Sequence, residues 1–462
     1  MRLTWIQPED LLRHELVQAA DEGRDVSAIA ARWVEAGGEL AAPPTGVSPE
    51  PASPAMAALA TELIAEIASI PAAGAEDEPD ELDGIRGTWT EPPALPDVPS
   101  PDALLDRIHG AWLGRAVGCL LGKPVEKIPR AGIREILETT GRWPLDRYFT
   151  ERGLPPDVAA RWPWNRASRG TSLEENIDGM PEDDDLNYAL VALGLLERRG
   201  HDFTTEDVAE TWLRDLPALR TFTAERIAYR NLLDGFQPPA TATTGNPYRE
   251  WIGAQIRTDA YGWARPGDPQ AAAELAWRDA RLSHTRNGIY GAMFVAAAAA
   301  AALVTDDVDA ILDTGLSVVP PRSRFATEVR TAREIAVMSP DVESAVDRLY
   351  ARHEGRHWVH VLNNAALVVL SLARGRGSFE RSICTVVAGG WDTDSNGATV
   401  GAVTGAMTGA RGLPRRWTDP LRNRLATSIP GFDGAGFDEL ARRTLAVAVT
   451  GTGATASSAA TT

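Results

Sequence analysis

The chain has 462 residues, and 46 Lys and Arg against 64 Asp and Glu give it a formal net charge of −18. That balance argues against a protein that tracks a nucleic-acid backbone, which needs a basic face, so no nucleic-acid partner is expected. The length allows one large domain with an extension, or two or three domains. Of the two cysteines, Cys119 and Cys384, neither has a C-x-x-C neighbour, which argues against a disulfide framework or a thiolate zinc site.

The opening "MRLTWIQPEDLLRHELVQ" soon becomes charged and has no apolar core of signal-peptide length. Residues 5–36 are expected to be helical, because Leu11, Leu12, Leu16, Ile29, Ala30 and Trp33 recur at three- and four-residue spacing. Four prolines and a glycine in 42–55 break that pattern before a short helix over 56–70. Residues 1–70 are therefore a helical extension that packs on the body or mediates assembly. The proline-rich, acidic stretch 71–101 reads as a linker or an extended arm lying on the main domain.

From 102 to 448 helical apolar patterns alternate with Gly- and Pro-marked loops, and period-two alternation is scarce. Helices are expected over 103–121, 185–198, 204–214, 271–281, 288–304, 324–338, 341–352, 357–373, 378–388 and 396–410. The fold class is all-α. The most apolar run, 292–304, is about 13 residues, short of the ~20 that a membrane span needs. It reads as a buried helix, and the protein as a soluble, cytoplasmic one with no membrane partner. The tail 449–462 is low in complexity and expected to be disordered.

Three segments carry candidate chemistry. In "RIHGAWLGRAVGCLLGKPVE" (107–126) Gly110, Gly114, Gly118 and Gly122 recur every four residues, Pro124 stops the helix, and Glu126 follows. In "GMPEDDDLNYALVALGLLE" (179–197) Pro181 suits a first helical turn, and Glu182, Asp183, Asp184 and Asp185 stand ahead of an apolar helix face. One or two acids would complement a helix dipole; four adjacent carboxylates repel one another unless a cation sits among them. In "GGWDTDSNGATVGAVTGAMTGA" (389–410) the run from Asp392 to Gly397 matches the first half of a calcium EF-hand loop. The twelfth position is Val403, which has no side-chain oxygen, so that reading fails. A helix N-cap at Asp394 or Ser395 would leave the second aspartate unexplained. Gly397, Gly401, Gly405 and Gly409 then form a ridge that a second backbone can approach closely. Oxygen ligands suit Mg²⁺ or Mn²⁺ and do not suit zinc. Two acidic clusters can hold two ions that orient a substrate rich in hydroxyls or phosphates.

Together and in this order, "GRAVGCLLGKPVE", "PEDDDLNYAL" and "GGWDTDSNGATVGAVTGA" resemble three motifs of the ADP-ribosylglycohydrolase family, of the dinitrogenase-reductase-activating glycohydrolase type. Those motifs are a Gly-rich first helix ending in glutamate, a T-D-D-T-like cluster opening a helix, and a late G-D-T-D-T segment before a glycine-rich helix. The resemblance covers about 102–448 and marks an atypical branch with an N-terminal extension. It implies a compact orthogonal helical bundle with two Mg²⁺ ions at its centre. It also implies hydrolysis of a glycosidic bond at the anomeric carbon of ribose.

By position the resemblance gives Asp392, Asp394 and Ser395 as metal ligands, with Ser395 in place of the usual Thr, and Asp183, Asp184 and Asp185 as the earlier set. A register shifted by one would use Glu182, Asp183 and Asp184 instead. Glu126 or Asp184 would act as general base on water. Gly122, His284, Asn287, Tyr290 and Trp391 are expected to touch substrate, with 252–269 and 282–294 forming its rim. The partner is a ribose-containing small molecule or an ADP-ribosylated protein. The alternatives are an N-ribosidase acting on a small nucleoside-like or nucleotide-like metabolite, and a non-catalytic ADP-ribose binder.

Overall fold

The computed structural model describes residues 2–74 and 76–456. Among these residues there are helices, short 3-10 turns and two isolated bridges (Met180 with Leu425, Trp251 with His360), and no β-strand. Nine of the helices are α1 (Pro8–Asp21), α2 (Ser27–Glu35), α3 (Pro54–Ala68), α4 (Pro101–Gly122), α5 (Asp184–Arg199), α6 (Thr223–Leu233), α7 (Arg286–Ala302), α8 (Val361–Gly375) and α9 (Thr393–Thr408).

The centre of the molecule is the antiparallel pair α4 and α9, whose glycine ridges face each other. A Cβ on Gly110 would lie 2.2 Å from the Gly405 carbonyl oxygen, on Gly114 2.0 Å from that of Gly401, and on Gly118 1.9 Å from that of Gly397. Only residues without a side chain allow this backbone-to-backbone contact. The pairing has one consequence for the site: the end of α4, which leads into Glu126, lies beside the start of α9, which carries Asp392 and Asp394. At that junction Gly122 meets the backbone of Thr393, whose hydroxyl donates to the Gly122 carbonyl at 2.9 Å.

Arg115, fully buried on α4, fixes the third element. Its Nε and Nη2 donate to the Asp185 carbonyl at 3.0 and 2.6 Å, and its Nη1 to Asp259 at 2.7 Å. This draws the first turn of α5 against α4. The helix begins at Asp184, capped by Asp183, whose carboxylate accepts from the Asp185 amide at 2.9 Å. Pro181 thus lies ahead of the helix, not in its first turn.

Around this pair a single large apolar cluster fills the body. Every residue of α7 is buried, so the alanine-rich run is a core helix, and its small side chains admit close neighbours. No helix among the described residues is long and apolar enough to cross a membrane.

The stretch expected as one helix over 5–36 is two, α1 and α2, because the chain turns at Gly23 with φ +75°. α1, α2 and α3 share an apolar cluster of their own, including Leu12, Leu16, Ile29, Trp33, Leu63 and Ile67. They are fastened to the body by a buried ion triad: Arg249 donates to Glu15 at 2.7 and 3.0 Å and to Glu22 at 2.7 Å. The stretch 71–101 lies against the body as well. The Tyr290 hydroxyl donates to the Pro79 carbonyl at 2.6 Å, Arg324 pairs with Glu78 at 2.9 Å, and a five-residue helix, Leu82–Arg86, buries Ile85. The last helix runs Phe437–Ala456, so part of the expected disordered tail continues a helix, and 457–462 fall outside the described residues.

Candidate active site

Where α4 ends and α5 and α9 begin, a cavity of about 280 Å³ opens. Five carboxylates line it closely: Glu126, Asp183, Asp184, Asp392 and Asp394, with the Ser395 hydroxyl beside them. They come from three segments more than fifty residues apart in the chain, and α4 against α9 is what brings the outer two together.

The charges on this wall do not balance. Lys123 pairs with Asp183, and Lys127 with Glu126 at 3.1 Å. Glu182 and Glu225, also on the wall, have their own partners in Arg220 and Arg257. Two ammonium groups therefore face five carboxylates. Burial, then the charges of Glu126 and Asp183, push the Asp394 carboxyl up to about 7. Burial and the neighbouring aspartates likewise hold Asp184 and Asp392 well above the usual carboxylate range. Burial acts the same way on Asp183, but the Lys123 ammonium overrides it and brings this carboxyl below its ordinary value.

An all-oxygen donor set with uncompensated negative charge in a buried cavity fits a hard divalent cation, which would remove the mutual repulsion. Cys119 lies close to Asp183 and Asp185. Burial, then the charges of Asp183 and Asp185, push its thiol well up. Asp185 is off the cavity wall: it points toward Arg115, whose Nη2 is 3.8 Å away, and its Oδ1 has no hydrogen-bond partner.

Glu126 occupies the cavity without a helix to hold it. Asn165 Nδ2 donates to its Oε2 and Lys127 approaches Oε1, so the carboxylate is fixed in orientation while its side chain stays 18% exposed. That combination of a positioned, solvent-reachable carboxylate suits proton transfer with water.

The residues expected to touch substrate lie off this wall. His284 is fully buried behind Glu225, with Nδ1 2.8 Å from the Ser283 hydroxyl and Nε2 3.9 Å from the Glu225 carboxylate. Asn287 donates to Glu250 at 2.7 Å and accepts from the Phe325 amide at 2.8 Å, so both ends of its amide bridge structural elements. Tyr290 holds the 71–101 segment, as described above. Gly122 serves backbone contact with Thr393. Trp391, at φ +57°, stacks on Tyr350 with ring centroids 4.5 Å apart. None of these five lines the cavity, and of the two rim stretches only Ile252, Gly253 and Ile256 do.

Several wall residues carry no sequence signal of their own. Tyr188, one turn into α5, is buried with an unpartnered hydroxyl. Glu225 on α6 receives Arg257 Nη1 at 2.6 Å, and burial raises its carboxyl. Trp5, Phe222 and Trp358 line the cavity as well, and the Trp358 ring lies 5.9 Å from the Lys127 ammonium that pairs with Glu126. Of all these, only Lys123 could have been suspected, from its place inside "GKPVE".

The sequence model of the ADP-ribosylglycohydrolase family matches residues 100–453. A solved structure described as an ADP-ribosylglycohydrolase-related protein complex is 23% identical, with a TM-score of 0.46, over 76% of this chain and 99% of that one. No curated protein matches the sequence.

Proposed function

The chain belongs to the ADP-ribosylglycohydrolase family, and from that premise we propose that it is a divalent-metal-dependent hydrolase that cleaves the glycosidic bond at the anomeric carbon of a ribosyl substrate. The observation that carries this reading is the set of five carboxylates, against two lysines, on one buried cavity. Asp183, Asp184, Asp392, Asp394 and Ser395 would hold the cation, Mg²⁺ or Mn²⁺. A cation held there would supply Lewis-acid polarisation.

The chain's own groups do the rest. Glu126, oriented by Asn165 and Lys127, takes the proton of the attacking water at a carboxylate oxygen. Lys123 keeps Asp183 ionised beside the cavity. As the glycosidic bond lengthens, the anomeric carbon gains oxocarbenium character, and the surrounding carboxylates stabilise that positive charge. The Tyr188 hydroxyl, buried and unpartnered, offers a hydrogen bond to the substrate.

The test is mass-spectrometric detection of cleavage by the purified protein with Mg²⁺ and with EDTA. The panel is ADP-ribosyl-arginine, an ADP-ribosyl-serine peptide, ADP-ribose 1″-phosphate and simple N-ribosides. Release that EDTA abolishes is expected, together with loss of the Mg²⁺-induced rise in melting temperature in Asp392→Ala. Cleavage indifferent to EDTA, or an Asp392→Ala protein with full activity, refutes the reading.

A further inference from the structure

We propose that Asn364, in the opening turn of α8, is the positioning residue for Asp392: it holds the start of α9 by its backbone, so that the Asp392 carboxylate is left to the cavity and not spent on capping the helix. The inference rests on the cation-binding part of the reading above. It adds to that reading a residue that touches neither cation nor substrate.

The chain enters α9 irregularly. Gly390 is at φ +85° and Trp391 at φ +57°, two successive left-handed residues. Asp392, at the N-cap, has φ −86° and ψ 83°, neither helical nor extended. An aspartate in that place ordinarily gives its carboxylate to the amides of the first helical turn. Asp183, Asp268, Asp307 and Asp341 each do so at the start of a helix. Asp392 does not: its side chain makes no capping hydrogen bond, and it stands on the wall of the acidic cavity. A carboxylate kept out of the cap needs the turn beneath it to be held by another group.

Asn364 supplies that hold. It is fully buried, and its Oδ1 accepts from the Asp392 amide at 3.3 Å and from Asn396 Nδ2 at 2.7 Å. Its Nδ2 donates to the carbonyls of Trp358 and His360, each at 2.8 Å. The Asp392 N–H can only donate and the two carbonyls can only accept, so the backbone fixes which way the Asn364 amide points. One side chain thereby uses its full hydrogen-bonding capacity to join the turn before α9 to the loop before α8. Both sides of this joint reach the acidic cavity, with Asp392 and Asp394 from one and Trp358 and Val359 from the other. An apolar residue at 364 would take from the buried Asp392 amide the acceptor that holds it, and the carboxylate would lose its fixed origin.

The experiment measures Mg²⁺ and Mn²⁺ dissociation constants by calorimetry, together with melting temperature, for the wild type, Asn364→Leu and Asn231→Leu. Leucine has the branching of asparagine and none of its hydrogen bonds. Asn231 is the matched control. It is buried on α6, its Nδ2 donates to the Thr241 and Thr244 carbonyls at 2.9 and 2.8 Å, its Oδ1 accepts from Arg230 Nη2 at 2.9 Å, and it lies off the acidic wall. Both variants should melt earlier than the wild type. Only Asn364→Leu should weaken cation binding, by about 10- to 100-fold, and cleavage it loses at low Mg²⁺ should return at saturating Mg²⁺. Unchanged dissociation constants in Asn364→Leu, or an equal weakening in Asn231→Leu, overturn the proposal. If Asn364→Leu does not fold, Asn364→Ala, which leaves room for water in place of the amide, is read in the same way against Asn231→Ala. If the wild type binds a cation but cleaves nothing in the panel, the hydrolase reading fails and the dissociation constants still decide the role of Asn364. A wild type that binds neither cation overturns both.

Discussion

Replacing Gly118 by alanine puts the central contact to a direct test. Its new Cβ would stand 1.9 Å from the Gly397 carbonyl oxygen and 2.4 Å from the carbonyl carbon. Real Cβ atoms essentially never come within 3.0 Å of another heavy atom, so the helices must part by about 1.1 Å at this point. The obstructing atoms are backbone inside a buried helix and cannot rotate away. Nor can α9 pivot, because Gly114 and Gly110 hold equally short contacts one and two turns back. Against this stands the usual gain of about 1 kcal/mol for alanine over glycine in a helix interior. Overpacking of a rigid contact costs about 1–3 kcal/mol, more when nothing can yield, so a net loss of about 2 kcal/mol is expected, or roughly 2 °C in melting temperature for a chain of this length. Activity should suffer more than stability, since the same shift moves Asp392 and Asp394 relative to Glu126, and misplacement by about 1 Å can cost 10²-fold. Gly194→Ala is the control: its Cβ would meet only Arg198 Nη1 at 3.1 Å and the Phe432 ring at 3.4 Å, groups that can move. Calorimetric melting and turnover of both variants check the reasoning. A Gly118→Ala protein that melts at or above the wild type would refute it.

Glu126→Gln keeps the contact with Asn165 but removes the proton acceptor, and turnover should fall by about 10²–10⁴-fold while the Mg²⁺ dissociation constant, read by calorimetry, changes much less. An unchanged rate would make Glu126 a bystander. Tyr290→Phe removes the hydrogen bond to the Pro79 carbonyl and should cost about 1–3 kcal/mol in denaturant unfolding with kcat unaltered; a large rise in KM would return Tyr290 to the substrate. Burial would raise the Glu22 carboxyl, but the Arg249 charge and hydrogen bond prevail and hold it at about 2 against an ordinary 4.5. A depressed carboxyl stabilises the folded state above the unfolded value and loses that contribution as pH falls through the folded one. The wild type should therefore lose about 3 kcal/mol from this group between about pH 5 and pH 2. Glu22→Gln should be less stable at pH 7 and show a flatter acid-unfolding profile; parallel profiles would sink the assignment.

Periodicity located the long helices because their apolar faces repeat over three or more turns. It missed short amphipathic ones such as α6 and Arg130–Thr139, and it joined α1 to α2 because the turn at Gly23 spans only a few residues. The two glycine ridges were legible as surfaces for close approach. That they are each other's partners was not, since nothing local in 110–122 refers to 397–409. The acidic segments stood out because four adjacent carboxylates, or two flanking a helix start, exceed what capping requires. Polar residues nearby gave no such excess. His284, Asn287 and Tyr290 have the donors and acceptors that a substrate would use, but the same groups satisfy buried backbone and carboxylates in Arg- and Glu-rich joints between elements. A single sequence cannot separate those two uses, because burial depends on contacts with other elements, up to 211 residues away for Tyr290.

The order of these dependencies explains why the site takes the form it does. Carboxylates on one buried wall repel, so they do not assemble themselves; something stiffer must hold them. The stiff part is the α4–α9 contact, where carbonyl oxygens face glycine Cα atoms and leave no slack for the acids to move apart. Lys123 then pairs with one aspartate, Arg115 pins the start of α5, and two ammonium groups are left to face five carboxylates. Trp5 reaches the same wall from a segment outside the family match, held by Gly46 and, through its neighbour Thr4, by Arg226, and not by the glycine helices. Changes along the glycine ridges, by contrast, act on the acids directly.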